Sequence, residues 1–319
     1  MCIYCHRYNE VVPVPFVLGF YVSLVVGRWW DQFLTLPWPE EIALNLTAYC
    51  HGNGERATRI RRTIMRYINL SYCLALRAIS SRAKLRFPTH EHLINSGLIT
   101  QEELYLYTNT PPLERNHYFA PIVWSLVIVT RARHEGLIRF DRAVEILTES
   151  ITDFRSGLAQ IFGYNRINLP LVYTQTATIV VYSYFLSCLL SLQYLDPKAG
   201  YKGYEFDGYV PLFGFMRFFF YVAECLLNPF GEDADDFEIE YLIERNLNVS
   251  YLIVDGMHHE HPDLVKDAFS STSDLLKYLP ADPNVVSSEG DCFIGSLANI
   301  QLAGRKMGST KHLKSGLNF

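Results

Sequence analysis

The sequence predicts an all-α membrane protein, with transmembrane helices that continue into a helical cytosolic domain. Three observations predict it. Residues Ile167 to Leu195 carry no charge over a length that exceeds the ~20 residues needed to cross a bilayer. The run from Val11 to Val26 is also uncharged and closes on Gly27-Arg28-Trp29-Trp30, a cation and two aromatics of the kind that favours headgroup depth. Across the 319 residues, hydrophobic side chains make up 49%, charged ones 19% and aromatic ones 14%, fewer charges than the ~25% usual in soluble domains.

The elements follow in chain order. Residues 11–30 form the first membrane candidate, opened by Pro13 and Pro15, whose missing N–H groups cost little in a first helical turn. Leu36-Pro-Trp-Pro-Glu40 is a turn. Residues 41–95 read as amphipathic helix, and Arg56, Arg59, Arg61, Arg62 and Arg66 read as a solvated, cytosolic face under the positive-inside tendency. Residues 101–165 continue as cytosolic helix. Tyr118–Thr130 within them is apolar but too short to span, so a buried helix is expected there. The second membrane candidate is 167–195. The third is 209–227, where Arg217 must face protein, water or an interface. Cytosolic helix resumes over 228–260 with an amphipathic segment at 238–256, and 266–319 reads as a loosely ordered tail. The ordered helical part is therefore expected to be 1–265.

Several classes are excluded. A net charge of −5 leaves no basic footprint for nucleic acid. No nucleophile motif, HExxH or phosphate loop points to an enzyme. Met1–Glu10 lacks the apolar core of a signal peptide. The 7 cysteines include one CxxC, Cys2 and Cys5, with no second pair, so reduced thiols are expected rather than zinc. The sequons at Asn45, Asn69 and Asn248 fall in segments placed in the cytosol and are expected to be unused.

Two constellations invite chemistry. Asp233, Asp235 and Asp236, flanked by Glu232 and Glu238, offer hard oxygen donors of the type Ca2+ takes. Asn228 and Gly231 lie in a Pro-containing turn able to aim carbonyls inward. The run departs from an EF-hand, since Phe237 and Glu238 occupy ligand and glycine places. It would equally serve as an acidic helix start favoured by the helix dipole. In the first apolar helix, Val12, Phe16 and Phe20 recur every four residues as one stripe. Around a symmetry axis such stripes would form a dry aromatic constriction. Packed against a neighbouring helix, they would be ordinary core.

Longer motifs add to these. Pro15-Phe-Val-Leu-Gly-Phe-Tyr-Val22, Arg28-Trp-Trp30, Leu36-Pro-Trp-Pro39, Ile60-Arg-Arg-Thr63 with Arg66-Tyr67, and Arg86-Phe-Pro88 run in one order with Leu169-Pro-Leu-Val-Tyr-Thr-Gln175. Phe218-Phe-Phe-Tyr221, Asn228-Pro-Phe-Gly-Glu-Asp233 and Asp235-Asp-Phe-Glu238 complete the series. Together they resemble the bestrophin family over roughly 3–260. The resemblance implies a homopentamer in the plasma membrane, multi-pass, with one central pore for chloride and other monovalent anions such as bicarbonate. It implies a hydrophobic neck at Val12, Phe16 and Phe20 and a cytosolic constriction at Ile179. It also implies a Ca2+ clasp with carboxylates from Asp233 and Asp236 and backbone carbonyls from Asn228 and Cys225. The family carries a further N-terminal segment, which supplies a clasp carbonyl, and a first membrane helix; only ten residues precede Val11 here, so an N-terminally truncated member is expected. About five residues of the family pattern, containing Gly-Trp-Leu-Lys, are absent between Val222 and Ala223; in a helix their loss removes about 7.5 Å of rise and roughly 140° of rotation. A non-conducting or regulatory member is the alternative these gaps suggest.

Overall fold

A computed structural model describes residues 4–5, 11, 13–109, 117–191, 221–233 and 235–266. Val12, residues 192–220 with Arg217, and the tail from 267 lie outside them. The chain divides into a compact unit over Met1–His261 and a second over Pro262–Phe319, of which only 262–266 are described and carry no regular secondary structure.

The first unit is helical. Its helices are α1 (Val14–Leu34), α2 (Glu40–Tyr49), α3 (Glu55–Ile79), α4 (Ser81–Arg86), α5 (His90–Asn95), α6 (Gln101–Thr108), α7 (Ala120–His134), α8 (Asp141–Arg166), α9 (Leu171–Ser191) and α10 (Ile239–Tyr251). A π-turn follows α10 at Leu252–Gly256, and residues 221–225 are also helical. Among the described residues the sole extended pairing is an isolated antiparallel bridge between Cys50 and Ile138.

The breaks have local causes. Pro13 precedes α1 and Pro15 sits in its first turn, as the proline pair leads one to expect. Gly52, at φ 107°, turns the chain between α2 and α3. Ser80 ends α3 and caps α4, accepting from the Ala83 N–H. Thr100 and Glu103 form a capping box that starts α6. Gly136, at φ 77°, closes α7, while the Leu137 N–H reaches the Ala132 carbonyl. The stretch 41–95 is thus four helices rather than one.

Burial separates two cores. In α3, every residue from Tyr67 to Leu76 is buried, the mark of a helix enclosed on all sides. Around it pack α2, α7, α8 and α10, with Ile42, Leu46, Ile64, Met65, Ile68, Leu147 and Ile151 almost fully enclosed. Inside this core Asn69 donates to the Met65 carbonyl at 2.9 Å and to Ser250 Oγ at 3.1 Å, which places that sequon in the interior. The smaller core lies between α1 and α9, where Leu18, Tyr21 and Val25 meet Ala177, Val181 and Phe185. The first set recurs at three- and four-residue spacing and the second at four, so each helix commits one stripe to the other.

Among the described residues no helix is long and apolar enough to cross a membrane. Helix α1 carries Arg28 and Asp31 in its last third, and α9 dilutes its apolar residues with Thr, Gln, Ser and Tyr.

Candidate functional site: an acidic turn stacked on the first helix

The acidic run is a turn, not a helical start. The Asp233 N–H donates to Asp236 Oδ2 at 2.7 Å, and the Asp236 N–H returns to the Asp233 carbonyl at 3.3 Å. Behind them the Gly231 N–H donates to the Asn228 carbonyl at 3.2 Å and the Phe237 N–H to the Pro229 carbonyl at 2.9 Å. Helix α10 begins only at Ile239. Gly231 lets the turn close tightly: a Cβ there would stand 2.7 Å from Asp236 Oδ2 and would force that carboxylate to shift.

Asp236 is buried while Asp233 and Asp235 are exposed. Its Oδ1 has no hydrogen-bond partner. Burial raises the Asp236 carboxyl above the ordinary aspartate value, and the charges of Asp233 and Asp235 add to that; the Asp233 N–H and Arg82 pull the other way. Arg82, on α4, fastens the turn by donating to the Glu232 carbonyl at 2.9 Å and the Asp233 carbonyl at 2.8 Å.

Directly after Asp236 comes the contact that joins the turn to the rest of the molecule. The Phe237 ring lies 5.3 Å from Trp29, 5.5 Å from Phe33 and 5.4 Å from Phe230, centroid to centroid. Trp29 and Phe33 belong to α1. Arg28 beside them donates to the Tyr164 and Ile167 carbonyls, each at 2.6 Å, and so caps the end of α8. The Arg-Trp-Trp triplet expected at an interface therefore divides: Arg28 caps α8, Trp29 packs on the turn and Trp30 is exposed.

The expected pore residues lie on outward faces. Phe16 and Phe20 are 74% and 58% exposed, on the side of α1 away from α9. Ile179 is 67% exposed; it is offset by two residues, about 200°, from the Ala177 stripe that faces α1. Val12 lies outside the described residues. Cys225 closes the helical stretch 221–225, half-buried, three residues before Asn228.

Donor chemistry at the turn fits a hard cation. Asp233, Asp236 and the Asn228 carbonyl offer oxygen only, and Asp236 Oδ1 is a buried acceptor without a donor. Among the described residues no three His, Cys, Asp or Glu side chains stand close enough to hold a metal, so carbonyls would have to complete the set. Sequence reasoning missed Arg82, Phe237 and Arg61. Arg61 belongs to the supposed solvated face, yet it is 2% exposed, because it falls on the inward Ala57–Ile60–Ile64 stripe of α3. That spacing was the available signal.

Comparison with known proteins agrees with these features. The family described as "Bestrophin, RFP-TM, chloride channel" matches residues 1–256. The chain is 42% identical over 314 residues to bestrophin-3 of Homo sapiens, covering 95% of this chain and 46% of that protein. It is 43% identical over 313 residues to bestrophin-2 of Mus musculus, covering 96% and 61%. Its length thus spans about half to three-fifths of these relatives. A bacterial bestrophin homologue from Klebsiella pneumoniae carrying a point substitution superposes with a TM-score of 0.58 at 16% identity, covering 76% of this chain and 87% of that one. Another crystal structure, described as a membrane protein, gives 0.60 at 16% identity, covering 82% and 89%. With the motifs in family order, the helical fold shared and the identity sustained along its length, this chain belongs to the bestrophin family.

Proposed function

We propose that the chain is a subunit of a calcium-activated channel for chloride and other monovalent anions, acting as a homopentamer in the plasma membrane and not as an enzyme. The observation that carries this reading is the stack of Phe237 on Trp29 and Phe33, which ties the acidic turn to the helix bearing Phe16 and Phe20. Asp233 and Asp236 would hold Ca2+ with the Asn228 and Cys225 carbonyls. The ion would supply the positive charge that balances two neighbouring carboxylates, one of them buried.

The chain's own residues do the rest. Asp236 orders the turn by accepting the Asp233 N–H, and Arg82 holds the turn's carbonyls. Phe237 passes a shift of the turn to α1. The outward face of α1 presents Phe16 and Phe20, which with Val12 earlier in the sequence would be the neck residues, and Ile179 would form the second constriction. A ring of such residues gates by dewetting, so a small widening changes conduction steeply. The positive edges of the aromatic rings favour anions without a lysine.

Planar bilayers containing the purified full chain test this. Chloride current is expected to rise with free calcium at about 10⁻⁷–10⁻⁵ M, the sensor range, and Asp236→Asn to shift that rise to higher calcium. Assembled protein that passes no current at any calcium concentration would favour the non-conducting reading.

A further inference from the structure

A polar cavity opens in the helical unit, and none of its lining residues belongs to the acidic turn. It measures about 400 Å³ and is lined by Asn53, Thr58, Arg61, Arg62, Asp255 and His258. One wall is the π-turn Leu252–Gly256, an irregularity found disproportionately at functional sites.

The groups lining it are unevenly satisfied. Arg61 spends four N–H groups on the Val254, Cys50 and Gly52 carbonyls and on Thr58 Oγ1. A guanidinium has five donors, so an Nη2 hydrogen remains. Arg62 places Nε 2.8 Å from Asp255 Oδ2. Asp255 Oδ1, by contrast, is buried with no donor. His258 is 9% exposed, and neither ring nitrogen closes a hydrogen bond, although the Gly52 backbone faces the ring. Burial, then Arg61 and His259, lower the His258 pKa to about 4, with His51 acting in the same sense, so the ring is neutral at physiological pH.

A ligand that completes this set needs both kinds of hydrogen-bonding group. It must bring negative charge for two guanidiniums that face one carboxylate. It must bring a donor for Asp255 Oδ1. It must also give or take at His258, a neutral imidazole with one N–H and one lone pair, one side of which faces the Gly52 backbone. An oxyanion that retains a proton meets all three conditions; a fully ionised one sets its lone pairs against the Asp255 carboxylate.

We propose that Arg61, Arg62, Asp255 and His258 form a binding site for a phosphoryl group that retains at least one proton, either inorganic phosphate or a small phosphate monoester. The site is independent of the channel reading, because its occupancy is measured without current.

Isothermal titration of the detergent-solubilised full chain decides it, with inorganic phosphate, glycerol phosphate and sulfate as probes. At pH 6, both phosphates are expected to bind about tenfold or more tightly than sulfate. The tighter of the two identifies the source. Monoester affinity should fall as pH rises through about 6, where the second proton leaves. His51 and His259, which act on the His258 ring, would affect sulfate and phosphate alike, so the phosphate-to-sulfate ratio isolates the ligand's own proton. Asp255→Asn is expected to abolish the preference over sulfate, and His258→Gln to weaken phosphate about tenfold. Sulfate binding as tightly as phosphate to the wild type overturns the proposal, as does wild-type phosphate affinity in His258→Gln. If Asp255→Asn fails to fold, the wild-type ratio and His258→Gln still decide.

Discussion

The bundle around α3 and the α1–α9 pair solve the burial problem differently. The bundle closes on itself: Ile64, Met65 and Ile68 are fully enclosed by helices of the same chain, and its buried Asn69 finds Ser250. The pair buries only one stripe of each helix, leaving Phe16, Phe20, Ile179 and Leu186 exposed. An isolated chain gains nothing from apolar residues left in that position, about 25 cal/mol for each Å² left unburied. The bundle therefore covers its own apolar residues, whereas among the described residues the pair leaves one apolar face of each helix uncovered. Lipid and further copies of the chain are the surroundings the channel proposal supplies.

That contrast is open to measurement, starting with the largest effect. Ile64→Ala removes an enclosed side chain from the bundle and is expected to cost about 2–5 kcal/mol in unfolding free energy, read by thermal or denaturant melting. A cost near zero would mean the bundle is loosely packed and the comparison fails.

An intermediate effect is expected at Glu103, which ties α6 to α3. It accepts from Arg66 Nη1 and Nη2 and from the Tyr67 hydroxyl, each at 2.6 Å, and from the Thr100 N–H at 2.9 Å. Burial pushes its carboxyl up, but these bonds outweigh burial and bring it from an ordinary 4.5 down to about 2. A depressed carboxyl contributes stability that is complete above pH 4.5 and is lost as pH falls toward 2. Discounted for its remaining exposure, the contribution is about 1–2 kcal/mol. Glu103→Gln should lower the melting temperature at pH 7 and flatten the decline between pH 4.5 and 2. An unchanged slope would assign the acid sensitivity elsewhere.

The smallest effect on stability belongs to the pair. Phe16→Ala should change unfolding free energy by less than about 0.5 kcal/mol, the range usual for exposed positions. It should nonetheless alter chloride current and loosen its dependence on calcium. A loss comparable to Ile64→Ala would mean that Phe16 is core and not a neck residue.

Much of this was legible in the sequence. The Pro13/Pro15 start placed α1, the uncharged run placed α9, and the 238–256 periodicity placed α10 with its π-turn. The family motifs identified the acidic turn. What stayed hidden depends on partners far away in the chain. Arg61 reads as one more surface arginine until the Cys50, Gly52 and Val254 carbonyls converge on it. Phe237 reads as an interruption in an acidic run until Trp29 and Phe33 arrive beside it. The Thr100–Glu103 capping box was visible as a local motif; its pairing with Arg66 was not.

The central claim is that the acidic turn acts on α1 through Phe237. Calcium titration of chloride current in bilayers, wild type against Phe237→Ala, with calcium binding measured in parallel, addresses it most directly. The account predicts that Phe237→Ala still binds calcium but no longer converts binding into current. A variant whose current follows calcium as the wild type does would contradict it.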